Sequence, residues 1–457
     1  MVDNNDQKQL EKFYNDATAQ YYFDKLKELV AIKSVFAQNI GLDDAAHYLV
    51  TLFEEAGADV VLDDSFAAPF VMATFASQKA DAKTLVFYNH YDVQPADSDQ
   101  IWTAAPFTLD VRDGYMYGRG VDDDKGHIVA RLTGVQKYRK VVTELPVNII
   151  FIIEGAEESA SVDLEKYLAK YQPELSKAEL LVWEQGIFNA QGQMELSGGT
   201  KGIVTFDAVV ESAEVDIHSK FGGVIDSSSW YLINALSSLR AADGRILVDG
   251  IYDGVTPPTA RELDLVHQFA YIESEDLRDL YDLKLPFLTD DKAELLKRLF
   301  FEPSLTIQGL STGYQGQGVK TIIPCQASAK LEVRLVPGME PHDVLTKIEK
   351  QLQKNGFDKV KLIYTLGEEG YRSDMTAPAI LNTIDIAKKF SPKGVAVLPT
   401  TAGTGPMHQV FAALEVPIVS FGLGNPNSRD HGGDENAKMA DYYTHIEMIE
   451  ELIKSYE

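Results

Sequence analysis

The sequence has a single cysteine, Cys325, so no disulfide can form within one chain. The longest apolar stretch, Val147–Ile153, is far too short to span a bilayer. The N-terminal segment Met1–Leu10 lacks a basic region followed by an apolar run, the pattern of a secretory signal. These absences predict a cytoplasmic protein without a membrane partner.

Basic residues are also scarce. The chain of 457 residues has 42 lysines and arginines against 69 aspartates and glutamates, which gives a net charge of −27. Because counterion release rewards basic surfaces, such a chain is a poor binder of nucleic acid or anionic membrane. The excess of acid could favour cationic substrates, but solubility is the commoner reason for it.

Hydrophobic residues make up 45% of the chain, enough for a large core and for more than one domain. Buried strands are predicted at Lys83–Tyr88, Val147–Ile153 and Glu179–Trp183, and helices at Leu42–Gly57 and Lys125–Val141. Strand–helix alternation of this kind predicts an α/β fold, with a mainly parallel mixed sheet flanked by helices.

The middle of the chain has a different pattern of hydrophobic residues. Segments 203–210 and 327–336 alternate like strands with one exposed face, and helices are predicted between them. The strand–helix pattern returns after Ala377. We therefore expect residues 1–201 and 373–457 to form one catalytic, metal-binding domain, and residues 202–372 to form an inserted α+β domain.

Acidic residues and histidines follow the predicted strands directly. His90 and Asp92 follow the first strand, Glu157 and Glu158 follow the second, and Glu184 follows the third. Ligands bind outside the carboxyl ends of such strands, so we expect these side chains to share one edge of the sheet. Each motif alone could be a solvated turn; together they predict a metal site.

Two loops complete the predicted site. Residues 117–126 read YGRGVDDDKG, in which three adjacent aspartates repel one another unless a cation or hydrogen bonds compensate. Residues 428–436 read SRDHGGDEN and place His431 among glycines. Two histidines and several carboxylates can supply two metal ions, because zinc takes imidazole nitrogen and carboxylate oxygen and paired ions need a bridging carboxylate.

Seven segments make the chain resemble the carnosinase-like zinc metallopeptidases. This family includes cytosolic dipeptidases, glutamate carboxypeptidases, aminoacylases and succinyl-diaminopimelate desuccinylases. The segments occur in family order: NHYDVQP (89–95), YGRGVDDDKG (117–126), EGAEES (154–159), VDIHSKFGG (215–223), KTIIP (320–324), VRLVPGMEP (333–341) and SRDHGGDEN (428–436).

The resemblance implies a role for each matching residue of the metal centre. Two divalent ions, zinc or alternatively manganese or cobalt, would be held by these ligands: His90 and Glu184 on one ion, His431 and Glu158 on the other, and Asp123 as the bridge. Glu157 would be the general base, and Asp92 would orient His90. The family also has a cis peptide after the bridging aspartate, here Asp123–Asp124.

The inserted domain would act as a lid and a dimerisation surface. In dimeric relatives, the histidine that matches His218 reaches the partner's active site and stabilises the oxyanion. Arg334 matches an arginine that binds the substrate carboxylate. Thr404 stands in the segment Ala402–Pro406, where the family has a glycine–serine element, and would contact substrate. A homodimer is therefore expected.

The resemblance implies hydrolysis of the amide bond of dipeptides or small peptides. Glu184 leaves an alternative open, because the dipeptidases usually have aspartate there, whereas carboxypeptidases and deacylases often have glutamate. An N-acyl amino acid is then the alternative substrate. A non-catalytic metal-binding protein of this fold is a third hypothesis, but Glu157 and every ligand position are filled. Asp122, a third acid beside the bridge, has no assigned role.

Overall fold

The structure is a computed structural model that describes residues 4–97, 100–268, 278 and 281–457. The helices of these residues are α1 (Asn4–Asn15), α2 (Ala17–Ala31), α3 (Leu42–Glu55), α4 (Lys125–Val141), α5 (Leu164–Leu175), α6 (Ser228–Ser237), α7 (Ala260–His267), α8 (Lys292–Phe301), α9 (Pro341–Lys354), α10 (Pro378–Phe390), α11 (Met407–Leu414) and α12 (Met439–Lys454).

Strands are distributed along the whole chain. They are β1 (Asp59–Asp63), β2 (Phe70–Phe75), β3 (Thr84–His90), β4 (Asp110–Arg112), β5 (Tyr115–Tyr117), β6 (Asn148–Glu154), β7 (Ala178–Trp183), β8 (Met194–Ser197), β9 (Gly199–Thr200), β10 (Gly202–Glu211), β11 (Ile217–His218), β12 (Ser304–Thr312), β13 (Ile322–Ile323), β14 (Gln326–Leu335), β15 (Lys361–Glu368), β16 (Tyr371–Arg372), β17 (Val395–Leu398), β18 (Ile418–Ser420) and β19 (Asn436–Lys438).

The chain folds into two compact units. The first unit comprises Met1–Gly199, Ser373–Pro399 and Gln409–Glu457, and the second comprises Thr200–Arg372 and Thr400–His408. The segment Thr400–His408 groups with the second unit because it bonds to it: the Lys201 backbone N–H donates to the Gly403 carbonyl at 2.8 Å.

The first unit is built on an eight-stranded sheet in the order β1-β2-β6-β3-β7-β18-β8-β17. Strands β6, β3, β7 and β18 are parallel neighbours, whereas β1 and β2 run antiparallel at one edge. Helices α3, α4 and α10 pack against the strands. The predicted α/β class with a mixed, mainly parallel sheet flanked by helices is confirmed.

Helix α4 lies in the middle of the first unit and is buried on most sides, between α2 and α12. Gly134 permits this packing, because a Cβ atom there would lie 2.7 Å from Ile449 Cβ on α12. The helix begins directly after the three aspartates, so its rigid packing fixes the position of the acidic loop.

The second unit has a four-stranded antiparallel sheet in the order β12-β14-β10-β15. Strands β10 and β14 alternate buried and half-buried residues, as the sequence pattern predicts for a sheet with one covered face. Helices α6 and α9 cover that face and enclose a core of aliphatic side chains.

Within the described ranges, no helix is both long enough and apolar enough to cross a membrane.

Candidate metal centre

The ends of three parallel strands meet at one edge of the sheet in the first unit. His90 is the last residue of β3 and pairs in register with Glu154, the last residue of β6. Glu184 directly follows β7, the other neighbour of β3. The carboxyl ends of parallel strands share an edge, so the fold gathers one histidine and two acids at a single place.

Asp123 lies between the two predicted histidines. Its Oδ1 atom is 2.9 Å from His90 Nε2, and its Oδ2 atom is 3.2 Å from His431 Nε2. Burial opposes ionisation, but the hydrogen bonds of His431 and His90 keep the pKa of Asp123 below its usual range. One carboxylate therefore faces two imidazoles with its two oxygens, the arrangement that a bridging ligand requires.

Each histidine also lies close to a second carboxylate. His90 Nε2 lies 3.5 Å from Glu184 Oε2, and His431 Nε2 lies 3.3 Å from Glu158 Oε2. Among the described residues, the potential ligand atoms form two groups, each within 4.8 Å: one group is His90, Asp124 and Glu184, and the other is Asp123, Glu158 and His431. The five side chains named in the sequence as ligands are thus brought together as two adjoining sets.

Asp124 is the member of these groups that the sequence analysis did not name as a metal ligand. Its Oδ2 atom accepts hydrogen bonds from Asn89 Nδ2 at 2.5 Å and from the His90 backbone N–H at 3.2 Å. Its Oδ1 atom lies 3.0 Å from His127 Nδ1. Oδ1 has no hydrogen-bond partner among the described residues, and Asp123 is the carboxylate that faces both histidines. The peptide bond between the two aspartates is cis.

Glu157 and Glu158 begin a short 3-10 helix after β6. The Asp92 carboxylate holds this turn, since Oδ1 accepts the Glu157 backbone N–H at 3.1 Å and Oδ2 accepts that of Glu158 at 3.2 Å. The nearest partner of His90 Nδ1 is the Asp92 backbone carbonyl at 2.9 Å, and the carboxylate is 3.5 Å away. Asp92 therefore contacts both His90 and the glutamate turn.

The acids of this site repel one another. Burial raises the pKa of Glu157 well above its usual value, although His90 opposes the rise, and the charges of Asp123, Glu158 and Asp92 add to it. Burial and the charge of Glu157 also raise the pKa of Glu184 well above its usual value. Glu184 Oε2 is buried and has no hydrogen-bond partner within the part of the chain that the structure describes. Such a cluster needs positive charge to be ionised, so this donor set fits divalent cations.

The loop around Asp123 is anchored by Glu435, which sequence reasoning missed. Glu435 Oε1 accepts the backbone N–H groups of Asp122 at 3.0 Å and Asp123 at 3.1 Å. Arg119, at the start of the same loop, pairs with Glu435 Oε2 at 2.8 Å. The only sequence signal is the position of Glu435 in the motif SRDHGGDEN, because its partners lie more than three hundred residues earlier in the chain.

Two further residues support the site and were also missed. Arg131 on α4 donates to the carbonyl oxygens of Tyr88 at 2.8 Å and Trp183 at 2.5 Å, and so fixes the ends of β3 and β7. Gln185 Nε2 donates to Asp123 Oδ1 at 2.7 Å. An arginine inside a buried helix and a glutamine next to a ligand are the weak signals that could have indicated them.

The remaining predicted site residues lie in the second unit. Arg334 on β14 donates from Nη1 to Thr404 Oγ1 at 2.7 Å and from Nε to Glu332 Oε1 at 3.3 Å. His218 on β11 is exposed, and its Nδ1 accepts the Lys220 backbone N–H at 3.1 Å. The structure therefore brings Arg334 and Thr404 into contact within this unit.

An α/β sheet that carries His90 and Glu184 at its strand ends, with His431 supplied by a loop and one carboxylate facing both histidines, has the arrangement of a two-metal hydrolase. A family model described as peptidase family M20/M25/M40 matches residues 86–455. The chain belongs to this family of metallopeptidases.

Two curated relatives are dipeptidases. The chain is 31% identical over 385 residues to the Beta-Ala-His dipeptidase of Mus musculus, and the alignment covers 82% of this chain and 77% of that protein. It is 33% identical over 391 residues to the Cys-Gly metallodipeptidase DUG1 of Candida albicans, and this alignment covers 82% of this chain and 78% of that protein. A similar solved structure is the M20 family metallo-carboxypeptidase Sso-CP2 of Sulfolobus solfataricus, with a TM-score of 0.86, 32% identity and coverage of 95% and 99%.

Proposed function

We propose that this protein is a two-metal dipeptidase that hydrolyses the amide bond of dipeptides or small peptides. The observation that carries the proposal is the position of Asp123, whose two carboxylate oxygens face His90 at 2.9 Å and His431 at 3.2 Å. The names of the dipeptidase relatives support the substrate class.

The residues of the site divide between two ions. His90 and Glu184 would hold one ion, His431 and Glu158 the other, and Asp123 both. When bound, the ions supply Lewis acidity to the scissile carbonyl and lower the pKa of the attacking water. Imidazole nitrogen together with carboxylate oxygen favours Zn²⁺, with Mn²⁺ and Co²⁺ as alternatives.

Glu157 is the proton carrier of the proposed reaction. It accepts a proton from the attacking water and delivers that proton to the leaving amine nitrogen as the C–N bond breaks. Burial raises the pKa of Glu157 above its usual value, which strengthens this carboxylate as a proton acceptor. The hydrogen bond from its backbone N–H to Asp92 fixes its position.

The second unit supplies substrate contacts in this proposal. Arg334 would bind the free carboxylate of the substrate, because a guanidinium forms paired hydrogen bonds with a carboxylate. Its bonds to Thr404 and Glu332 hold the planar group in one orientation. Thr404 would contribute a hydroxyl to the same contact.

His218 would complete the active site of a partner chain in a homodimer, with the second unit as dimerisation surface and lid. Two observations support this: His218 is exposed, and the nearby apolar residues Val215 and Val224 are 69% and 83% exposed. Exposed apolar side chains of this kind are typical of a protein interface.

A cytoplasmic location belongs to the same proposal. The one cysteine, Cys325, is unpaired, which suits a reducing compartment. Fractionation of the producing cells, followed by immunodetection of the chain, tests it.

Carboxypeptidase or N-acyl-amino-acid deacylase activity is the second candidate. Glu184, in place of the aspartate that the resemblance leads one to expect in a dipeptidase, favours it, as does the similarity to a metallo-carboxypeptidase. The difference lies in the N-terminus of the substrate, which is free in a dipeptide and blocked in an acyl amino acid.

The test combines metal analysis with a matched substrate panel. The purified protein is assayed with Ala-Ala, Gly-Ala, N-acetyl-Ala-Ala and N-acetyl-Ala, after loading with zinc, manganese or cobalt. A dipeptidase cleaves the first two and spares the acetylated pair. Cleavage of the acetylated substrates alone would favour the second candidate, and no cleavage with two ions bound would favour a binding protein.

A further inference from the structure

The first unit contains a cavity apart from the metal centre, with a volume of about 590 Å³. It lies between helix α1, the start of helix α12, and the loops 188–192 and 425–427. None of the five proposed metal ligands lines it. Its volume falls within the range of small-molecule sites, which is roughly 300–1,000 Å³.

An unpartnered carboxylate stands in the wall of this cavity. Asp441, in the first turn of α12, is 8% exposed, and its Oδ2 atom has no hydrogen-bond partner among the described residues. A buried carboxylate in this state is costly unless a donor or a cation reaches it. Burial raises the pKa of Asp441 to about 7; Lys438 and Lys393 moderate the rise, and the charge of Asp6 adds to it.

The cavity wall carries charge of both signs. Lys438 and Lys393 line it together with three acids, Asp6, Asp113 and Asp441. A simple cation would meet the two lysines, and a simple anion would meet the three acids. A molecule that bears an ammonium group at one end and a carboxylate at the other satisfies both, and the apolar side chains of Leu10 and Phe188 leave room for a side chain between them.

We propose that this cavity is a binding site for a free amino acid, whose ammonium group pairs with Asp441 and whose carboxylate pairs with Lys438. The choice of ligand rests on the proposed function, because hydrolysis of a dipeptide releases free amino acids. The site itself rests on the cavity and its charges alone.

The walls of the cavity connect it to the metal centre. Phe188 lies in the loop that follows Glu184, and its backbone N–H donates to Gly424 at 2.9 Å. Gly424 donates in turn to Gly186 at 3.0 Å. The loop that includes 425–427 continues to His431. Occupation of the cavity therefore acts on two loops that carry proposed metal ligands, and we expect a bound amino acid to change turnover.

Calorimetric titration of the metal-loaded enzyme tests the site. The probes are L-methionine, N-acetyl-L-methionine and L-methioninamide, so that the ammonium and the carboxylate are removed one at a time. The variants are Asp441→Asn and Lys438→Met, with Glu450→Gln on the same helix as a control outside the cavity. Asp441→Asn keeps the side-chain volume and removes an unpartnered charge, so it should fold.

We expect methionine to bind the wild type and the control equally, and to bind both cavity variants at least tenfold more weakly. Both analogues should bind the wild type at least tenfold more weakly than methionine. Equal affinity of the wild type and Asp441→Asn for methionine would overturn the proposal, since that binding would belong to the catalytic centre. The absence of methionine binding to the wild type would also overturn it. Turnover without added methionine should be unchanged in Asp441→Asn. A protein that binds methionine through Asp441 yet cleaves no peptide would contradict only the proposed function.

Discussion

Arg119 and Glu435 form an ion pair of 2.8 Å in which the two side chains are 1% and 0% exposed. The same glutamate accepts backbone N–H groups from Gly120, Asp122 and Asp123. The pair therefore fixes the loop on which the proposed bridging ligand stands, although neither residue faces the histidines.

Removal of Glu435 should disturb the metal centre without removing a ligand. Glu435→Ala leaves the buried charge of Arg119 without its carboxylate partner, and breaking a buried ion pair costs roughly 3–5 kcal/mol. We expect a lower melting temperature and less than two bound ions per chain, measured by calorimetry and elemental analysis. Glu144→Ala, at an exposed position, is the control. Full metal content in Glu435→Ala would show that the loop keeps its shape without the anchor.

Glu157→Gln should separate chemistry from metal binding. The amide cannot accept the proton of the attacking water, so kcat should fall by at least about 10²–10⁴-fold, the usual contribution of a general base. The metal content should stay near two ions per chain. Exposed Glu165→Gln serves as the matched control. A loss of metal in Glu157→Gln would make this residue a ligand and contradict its proposed role as the base.

Mixed dimers test whether His218 acts in a neighbouring chain. His218→Ala and Glu157→Ala should each be inactive alone. The two variants are unfolded, mixed in equal amounts and refolded together. If His218 acts across the dimer, about half of the dimers are hybrids with one intact site of two, so roughly a quarter of wild-type activity returns. The recovered kcat is the measurement, and chromatography with light scattering gives the oligomeric state. No recovery from mixtures that form dimers would place the action of His218 within one chain, or deny it a role.

Asp441 should make the protein less stable as the pH rises. Burial raises its folded pKa to about 7 from an ordinary 3.8, so the folded state binds the proton more tightly than the unfolded state does. The free energy of unfolding should therefore fall between about pH 4 and pH 7 and level off above, relative to Asp441→Asn. Each pKa unit corresponds to about 1.4 kcal/mol, so the difference should reach the order of a few kcal/mol.

Urea unfolding of both proteins from pH 4 to pH 8, without added amino acid, measures that difference. Comparison of the two proteins at each pH cancels the contribution of the metal centre, which both share. A difference that is constant over this range would mean that Asp441 titrates in the folded protein as it does in solution.

The sheet and the strand-end part of the site could be predicted because both depend on local pattern. Apolar runs gave β3, β6 and β7 to within about two residues at each end, and the next polar residues were then placed by the geometry of parallel strands. His431 carries no periodic signal because it lies among glycines, so it was predicted only in combination with the other histidine and the carboxylates, and its place in the ligand set came from the family resemblance.

The supporting contacts could not be predicted for a physical reason. Glu435 and Arg119 are 316 positions apart, and their pairing depends on how the 119–123 loop and the loop before β19 pack together. Arg131 lies in helix α4, which is buried on most sides and therefore has only a weak amphipathic pattern. The sequence pattern could not show that this arginine bonds to the ends of β3 and β7. The cavity at Asp441 is lined by six separate segments of the chain, so no sequence motif marks it.

The separation between Asp123 and its anchor Glu435 has a consequence for biosynthesis. A ribosome makes Asp123 312 positions before Glu435, so the acidic loop first emerges without the group that binds its backbone and without His431. During that interval the nascent chain holds a cluster of carboxylates around one histidine and no complete ion cage. In the proposed two-metal site the ligand set is complete only after His431 has been made, so stable loading of both ions would be a late event in the life of each molecule.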